Sequence, residues 1–306
     1  MMMKSYLMFY VLVVAVFSGG HAWAASNCNL SLQNIRLENT GKNVTYDIFE
    51  AGSFALIQNH LIDIKNNSSD LTCDTVVLIQ PKQNFFAGSQ RGQRLEYQIL
   101  SGRNSASIYE NGLAMVVRNL KPKEKRTLSY QLKFAAGQYV SHGPYRNLFD
   151  YSAVEFPLNR TNVYDETAYD FQVRVNKSAK ISLWGTNERY QYTVDFGELE
   201  TGKTLQLAPQ LLVQSTADYA IDFQSENHGH LRHRSGDSTW DVDYDFFVNH
   251  RPISLTAGGH RSRFRQPASA VGDRYSMMFR VGNVNSKPAG QYEDVITITV
   301  TPSLVH

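Results

Sequence analysis

Between Glu226 and His233 the chain places Glu226, His228 and His230 at alternate positions, with His233 three residues further on. Alternate residues share one face of a strand, and these are side chains that a zinc-like ion would accept. Arg232 and Arg234 interleave with them and bring positive charge to a place that would have to hold a cation, so no metal site is expected. Asp243 and Asp245 flank Tyr244. That spacing suits a carboxylate pair for acid–base work, but it also marks the wet face of an ordinary strand. The basic run His260-Arg261-Ser262-Arg263-Phe264-Arg265 could meet an acidic glycan, and a solvated loop is the plainer reading. The sequence holds no GxSxG elbow, phosphate loop or HExxH, so the expectation is a protein that is not an enzyme and carries no cofactor.

Cys28 and Cys73 are the only cysteines, 45 residues apart. An even pair in an exported chain points to a disulfide, and no CxxC spacing supports a metal or redox pair. Closing a loop of that length is worth roughly 4 kcal/mol in the chain-entropy account. The bridge is expected to pin the first strand of the first domain to its third. Export itself is read from the first 24 residues. Lys4 is their one formal charge, Tyr6 to Phe17 is apolar, and Ala22-Trp23-Ala24 fits a small-x-small cleavage site. The apolar run is too short to serve well as a membrane anchor. Without Lys4 the formal charge falls from +2 to +1 (30 − 1 − 28), which leaves no field to draw nucleic acid or an anionic membrane.

The elements behind these residues read as strands. Tyr and Phe together number 33 (17 + 16), and period-two alternation is clear at Phe171, Val173, Val175 and at Leu128, Tyr130, Leu132, Phe134. Turn signals such as Asn66-Asn67-Ser68-Ser69, Lys121-Pro122-Lys123 and Gly143-Pro144 separate the runs. No convincing amphipathic helix is found. Ala136-Gly137-Gln138-Tyr139 recurs as Ala289-Gly290-Gln291-Tyr292, Gly52 matches Gly202, and Tyr97 matches Tyr244. In chain order the offsets are 150, 147 and 153, so the chain reads as two copies of one immunoglobulin-like β-sandwich. The expected division is a signal peptide at 1–24, a first domain at 25–165 and a second at 166–306, with the boundary within Asn159 to Asp170. After the first AGQY comes another strand-like run, Asp150 to Phe156; after the second comes only Gln291 to Val300. The second sandwich is therefore expected to lack its last strand.

The closing run Pro288-Ala289-Gly290-Gln291-Tyr292-Glu293-Asp294-Val295-Ile296-Thr297-Ile298-Thr299-Val300 resembles the terminal AGxYxDxVxVxV pattern of the spore coat protein U domain family. That family is the pilin module of archaic chaperone–usher pili. Val194-Asp195-Phe196-Gly197, Ser225 to Leu231 and Val242 to Phe246 extend the resemblance over most of residues 190–302. Cys28, Tyr46-Asp47, Cys73 and Leu95-Glu96-Tyr97 carry it more loosely into the first domain. The resemblance implies a periplasmic chaperone, an outer-membrane usher and an adjacent pilin subunit as partners. A strand from one of them would enter a groove edged by Tyr292, Ile296, Ile298 and Val300.

Only Ala25, Ser26 and Asn27 lie between the expected cleavage site and Cys28, too few to donate a strand in return. The resemblance then implies a pilus-tip adhesin exported to the cell surface, mediating attachment and biofilm formation on an abiotic or host surface. Its contact residues are expected in apolar loops: Phe85 and Phe86, then Tyr145, Leu148 and Phe149 after the Gly143-Pro144 bend, and more weakly Ser53 to Ile57. A lectin-like tip with a polar glycan pocket in the first domain is the alternative, and a secreted β-sandwich enzyme the second.

Overall fold

The computed structural model describes residues 28–38, 45–89, 92–101, 106–256, 264–266 and 268–303. The expected signal peptide lies outside them, as does most of the basic run at 260–265. In chain order the strands begin with β1 (Leu30–Leu37), β2 (Thr45–Tyr46), β3 (Phe54–Asn66), β4 (Cys73–Pro81), β5 (Phe86–Ser89) and β6 (Arg94–Glu96). There follow β7 (Gln98–Ser101), β8 (Ala106–Tyr109), β9 (Gly112–Leu120), β10 (Lys125–Ala135), β11 (Gly143–Glu155) and β12 (Asn159–Val175). The second half has β13 (Ala179–Trp184), β14 (Thr204–Gln206), β15 (Gln210–Ser215), β16 (Tyr219–Ser225), β17 (His230–His233) and β18 (Val242–Val248). It ends with β19 (Arg251–Ile253), β20 (Phe264–Gln266), β21 (Ser269–Tyr275), β22 (Met277–Val281), β23 (Tyr292–Glu293) and β24 (Ile296–Pro302). Among the described residues the one helical turn is a 3-10 segment at Ser238–Trp240. Among the described residues no helix is long and apolar enough to cross a membrane.

The first sandwich stacks the sheet β1-β3-β10-β7 on a larger one ordered β2-β12-β11-β4-β9-β8. Their inner faces close over a core that includes Tyr46, Ile62, Val77, Tyr130, Phe134, Phe149 and Phe171. Alternation along the strands does this: in β10, Leu128, Tyr130, Leu132 and Phe134 are buried and the residues between them are not. The Cys28–Cys73 disulfide is present, with 6.0 Å between Cα atoms. It joins the start of β1 to the start of β4, one strand from each sheet. The two-residue β2 makes β4 the fourth strand rather than the expected third.

The second sandwich repeats this plan with two of its strands broken. Its first sheet runs β13-β15-β21 at one end and β14-β22-β18 at the other. Lys65 pairs with Lys125 and Phe54 with Ala135 across β3 and β10; Ser215 pairs with Ser269 and Thr204 with Arg280 across the split equivalents. The other sheet repeats as well: Tyr151 pairs with Ile79 between β11 and β4, and Val300 with Ile221 between β24 and β16. Its order is β20-β16-β24, against β9-β4-β11 in the first half. A separate core gathers around Val213, Ile221, Phe223, Phe246 and Phe279.

The division between the halves falls later than the sequence suggests. β12 runs through Asp165 and Glu166, which pair with Ala153 and Ser152, and Phe171, Val173 and Val175 belong to the first core. A register shift between the Ala153 and Val154 pairs puts an irregularity near Tyr164. Most residues from Arg160 to Asp170 are exposed or only half-buried, so the alternation lapses there without the strand ending. The chain crosses to the second sandwich at Asn176 to Ser178. There Thr216 is knotted in: its backbone carbonyl accepts from the His142 backbone N–H at 2.8 Å, and its hydroxyl donates to the Asn176 carbonyl at 2.7 Å.

Candidate functional site

In the first sandwich β12 is held on both sides. It runs antiparallel to β11 along its length and parallel to β2 at its end, where Arg174 meets Thr45 and Val175 meets Tyr46. Both flanks have counterparts in the second sandwich. β24 stands for β11, and Asp195 and Phe196, 150 residues on, stand for Thr45 and Tyr46. Phe196 packs on the second core as Tyr46 packs on the first, edge-on to Phe279 at 5.8 Å. The strand between them has no counterpart among the described residues. Among the described residues β24 pairs only with β16, and its other edge carries no ladder.

A groove of about 690 Å³ occupies that position. Tyr190 to Val194 form one wall, Tyr292 to Ile298 the other, and Leu211, Leu231, Tyr244, Phe246 and Phe279 line it between them. The burial of the two flanking strands records the difference. Asn147, Phe149 and Tyr151 on β11 are 1%, 0% and 1% exposed, whereas their counterparts Ile296, Ile298 and Val300 are only half-buried. A row of half-covered aliphatic side chains beside an unpaired strand edge offers a strand both ladder hydrogen bonds and pockets for its alternate side chains.

Asp294 fixes the wall. It sits where the chain leaves β23, paired with β17, and enters β24 in the other sheet. Its carboxylate accepts from Ser225 Oγ at 2.6 Å, the Asn227 backbone N–H at 2.8 Å and Tyr244 OH at 2.5 Å. Burial, with the Asp294 charge beside it, pushes the Tyr244 phenol well above its ordinary range, so the phenol stays a donor. Asp294→Ala is expected to destabilise the second sandwich by about 2 kcal/mol, the cost of stranding the Tyr244 and Asn227 donors. Denaturant melts of the variant and parent measure it.

Of the expected groove residues, Tyr292, Ile296 and Ile298 line the groove and Val300 packs on the same core at its end. The opposite wall, Tyr190 to Val194, was not legible as a wall, because it is extended without being a strand. The expected contact loops fare differently. Tyr145 and Phe149 are 1% and 0% exposed; they lie in β11 and face the core, and Gly143-Pro144 starts that strand instead of capping a protruding hairpin. Leu148 is half-buried on the same strand. Phe85 packs on the first core, edge-on to Tyr97 at 6.5 Å, and Phe86 lies under the Arg94 guanidinium at 4.4 Å.

Phe85 lies in the turn between β4 and β5 and Phe86 opens β5, and Asn147 ties this stretch down. Asn147 donates to the Phe86 carbonyl at 2.9 Å and accepts from the Gln83 N–H at 3.2 Å. The weaker segment is the more open one: Phe54 and Ile57 are 36% and 39% exposed. The histidines do not converge on a common point. His230 Nδ1 is 2.6 Å from Asp243, His233 packs between Trp240 and Tyr292, and His228 sits in a turn at φ 57°. Among the described residues no cluster could hold a metal ion. Asp245 is held by Arg280 at 2.9 Å, so the two aspartates have separate partners.

No family model matches the sequence, and no curated protein matches it either. Among solved structures it is similar to the CsuC–CsuE chaperone–tip adhesion subunit complex of archaic chaperone–usher Csu pili of Acinetobacter baumannii. The identity is 17%, over 74% of this chain and 84% of that one, with a TM-score of 0.42. It is also similar to the CupB6 tip adhesin of Pseudomonas aeruginosa, at 9% identity over 89% and 94% of the two chains and a TM-score of 0.38. A third is the CFA/I enterotoxigenic E. coli adhesin CfaE, at 14% identity over 90% and 81%, with a TM-score of 0.35. Likenesses of this degree decide nothing that the groove's own geometry does not.

Proposed function

We propose that this chain is an adhesive subunit of a chaperone–usher surface fibre, whose second sandwich is completed by a strand from another polypeptide. The observation that carries the reading is the groove between Val194–Phe196 and β24, at the position where the first sandwich holds its own β12. During export a periplasmic chaperone supplies the strand, and after passage through an outer-membrane usher an adjacent subunit replaces it. The first sandwich needs no such help. Its far pole, opposite the linker, carries the loops Asn66 to Thr72, Lys121 to Glu124 and Phe156 to Leu158, tied by the disulfide and by Asn66, whose side chain donates to the Leu71 and Leu120 carbonyls. With the second sandwich joined to the fibre, that pole faces outward as a tip would. Leu71 and Leu158, 40% and 37% exposed, are the apolar residues it offers to an abiotic or host surface, and biofilm formation would follow from that contact.

Amide hydrogen exchange tests the strand-acceptor reading. In the chain alone the β24 amides that face away from β16 should exchange fast, and in a complex with a co-expressed pilus chaperone they should become protected. Ile298→Asp should prevent the complex, since it places a charge on the groove wall. Slow exchange along that edge in a stable, isolated monomer would overturn the reading.

A further inference from the structure

We infer that the cleft where the first sandwich meets the linker is a binding site for an acidic saccharide, separate from the strand groove. The cleft encloses about 510 Å³, within the roughly 300–1,000 Å³ of small-molecule sites. Gln93, His142, Arg174 and Lys177 line it, together with Ser89 and Ser141, and among the described residues no carboxylate does. What each side chain has left to offer follows from its fixed bonds. The Gln93 Oε1 accepts from the Ser141 backbone N–H at 2.8 Å and lies 3.0 Å from Tyr145 OH. Its carbonyl is therefore used, and its NH₂, which has no partner among the described residues, is what remains for a ligand.

Arg174 pairs through its backbone with Pro144 and Thr45, and its guanidinium has no carboxylate partner among the described residues. His142 Nδ1 lies 3.0 Å from the Thr216 carbonyl. A carbonyl can only accept, so Nδ1 carries the proton and Nε2 is left to accept a hydroxyl. A guanidinium and an amide NH₂ suit a carboxylate or sulfate. A ring nitrogen and two serine hydroxyls suit the hydroxyls around it. Charge and hydroxyl recognition together describe a sugar acid rather than a bare anion. Nothing in this depends on whether the groove takes a strand.

Isothermal titration of the full chain tests the inference, with or without a strand donor bound in the groove. The probes are a galacturonate trisaccharide, a heparin-derived sulfated disaccharide, and maltotriose as the neutral control. At least one acidic probe should bind at least tenfold more tightly than maltotriose, and the tighter of the two identifies the acid. Arg174→Ser with Lys177→Ser should weaken that binding at least tenfold. Gln93→Glu keeps the acceptor that holds Ser141 but turns a negative charge on the ligand, so it should weaken binding at least as much while the melting temperature stays close to the parent's. Arg118→Ser with Lys121→Ser, at the opposite pole, should leave affinity unchanged. The inference is overturned if no acidic probe binds at millimolar concentration, if maltotriose binds equally well, or if either cleft variant retains the parent affinity.

Discussion

Appending a copy of residues 156–175 behind a flexible linker at the carboxy terminus should raise the melting temperature of the second sandwich by about 10 °C or more. That segment is the turn and strand with which the first sandwich closes itself, antiparallel to β11. Its Phe171, Val173 and Val175 point into the first core and are at most 2% exposed. Placed beside β24, the same alternation would cover Ile296 and Ile298 and pair the open edge. Each buried side chain of this size contributes about 1.5–3 kcal/mol before ordering costs, and each ladder bond about 1 kcal/mol. A net gain of several kcal/mol corresponds to the stated shift for a domain of this length. The linker keeps the strand at high effective concentration, so the gain should not depend on protein concentration. The control carries Ser in place of Phe171, Val173 and Val175 within the appended copy. Calorimetry showing equal stabilisation by both copies, or by neither, would remove the groove from the account.

How much of this was legible in the sequence depends on which face of a strand each residue chose. The repeat and the period-two runs were enough to read two β-sandwiches, because every register shift of one residue would have turned Leu128 to Phe134 out to water. The disulfide was legible because only two cysteines exist. Tyr145 and Phe149 misled because a Gly-Pro pair reads as a turn, yet a proline is tolerated near the start of a strand, where ladder donors are few. From there Tyr145, Asn147 and Phe149 fall on the buried face by simple alternation. The domain boundary misled for the opposite reason: β12 is exposed over its first half, so its apolar signal begins only at Phe171. The far wall of the groove was beyond periodicity altogether. Tyr192, Val194 and Phe196 alternate, but what gives them meaning is the parallel pairing of Thr45 and Tyr46 with β12 in the other half, which only the fold displays.

His60 should make the first sandwich lose stability between pH 6.5 and about 3, and His60→Phe should remove that loss. The imidazole is 0% exposed, stacked on Tyr130 at 5.0 Å and edge-on to Phe171 at 6.1 Å. Its Nε2 lies 3.3 Å from Gln58 Oε1, an acceptor, so Nε2 carries the proton. Among the described residues Nδ1 has no hydrogen-bond partner. Burial pushes the imidazole down to about 3, and the folded protein keeps it neutral while the unfolded chain takes up a proton near pH 6.5. The folded pKa is the lower one, so the stability tied to neutral His60 is fully present above pH 6.5 and drains as pH falls below it. The slope is about 1.4 kcal/mol per pH unit, or about 2.7 kcal/mol by pH 4.5. Asp63 does not imitate this. Burial alone would raise its carboxyl, but hydrogen bonds from Thr127, Asn34 and Lys125 and the charge of Arg36 hold it below its ordinary value. Its contribution is therefore intact above pH 3.8 and fades only as pH falls lower. Urea melts of parent and His60→Phe at pH 7.5 and 4.5 separate the two groups. The parent should lose about 2–3 kcal/mol more than the variant over that interval, and parallel losses in both proteins would mean the histidine is not the group that titrates.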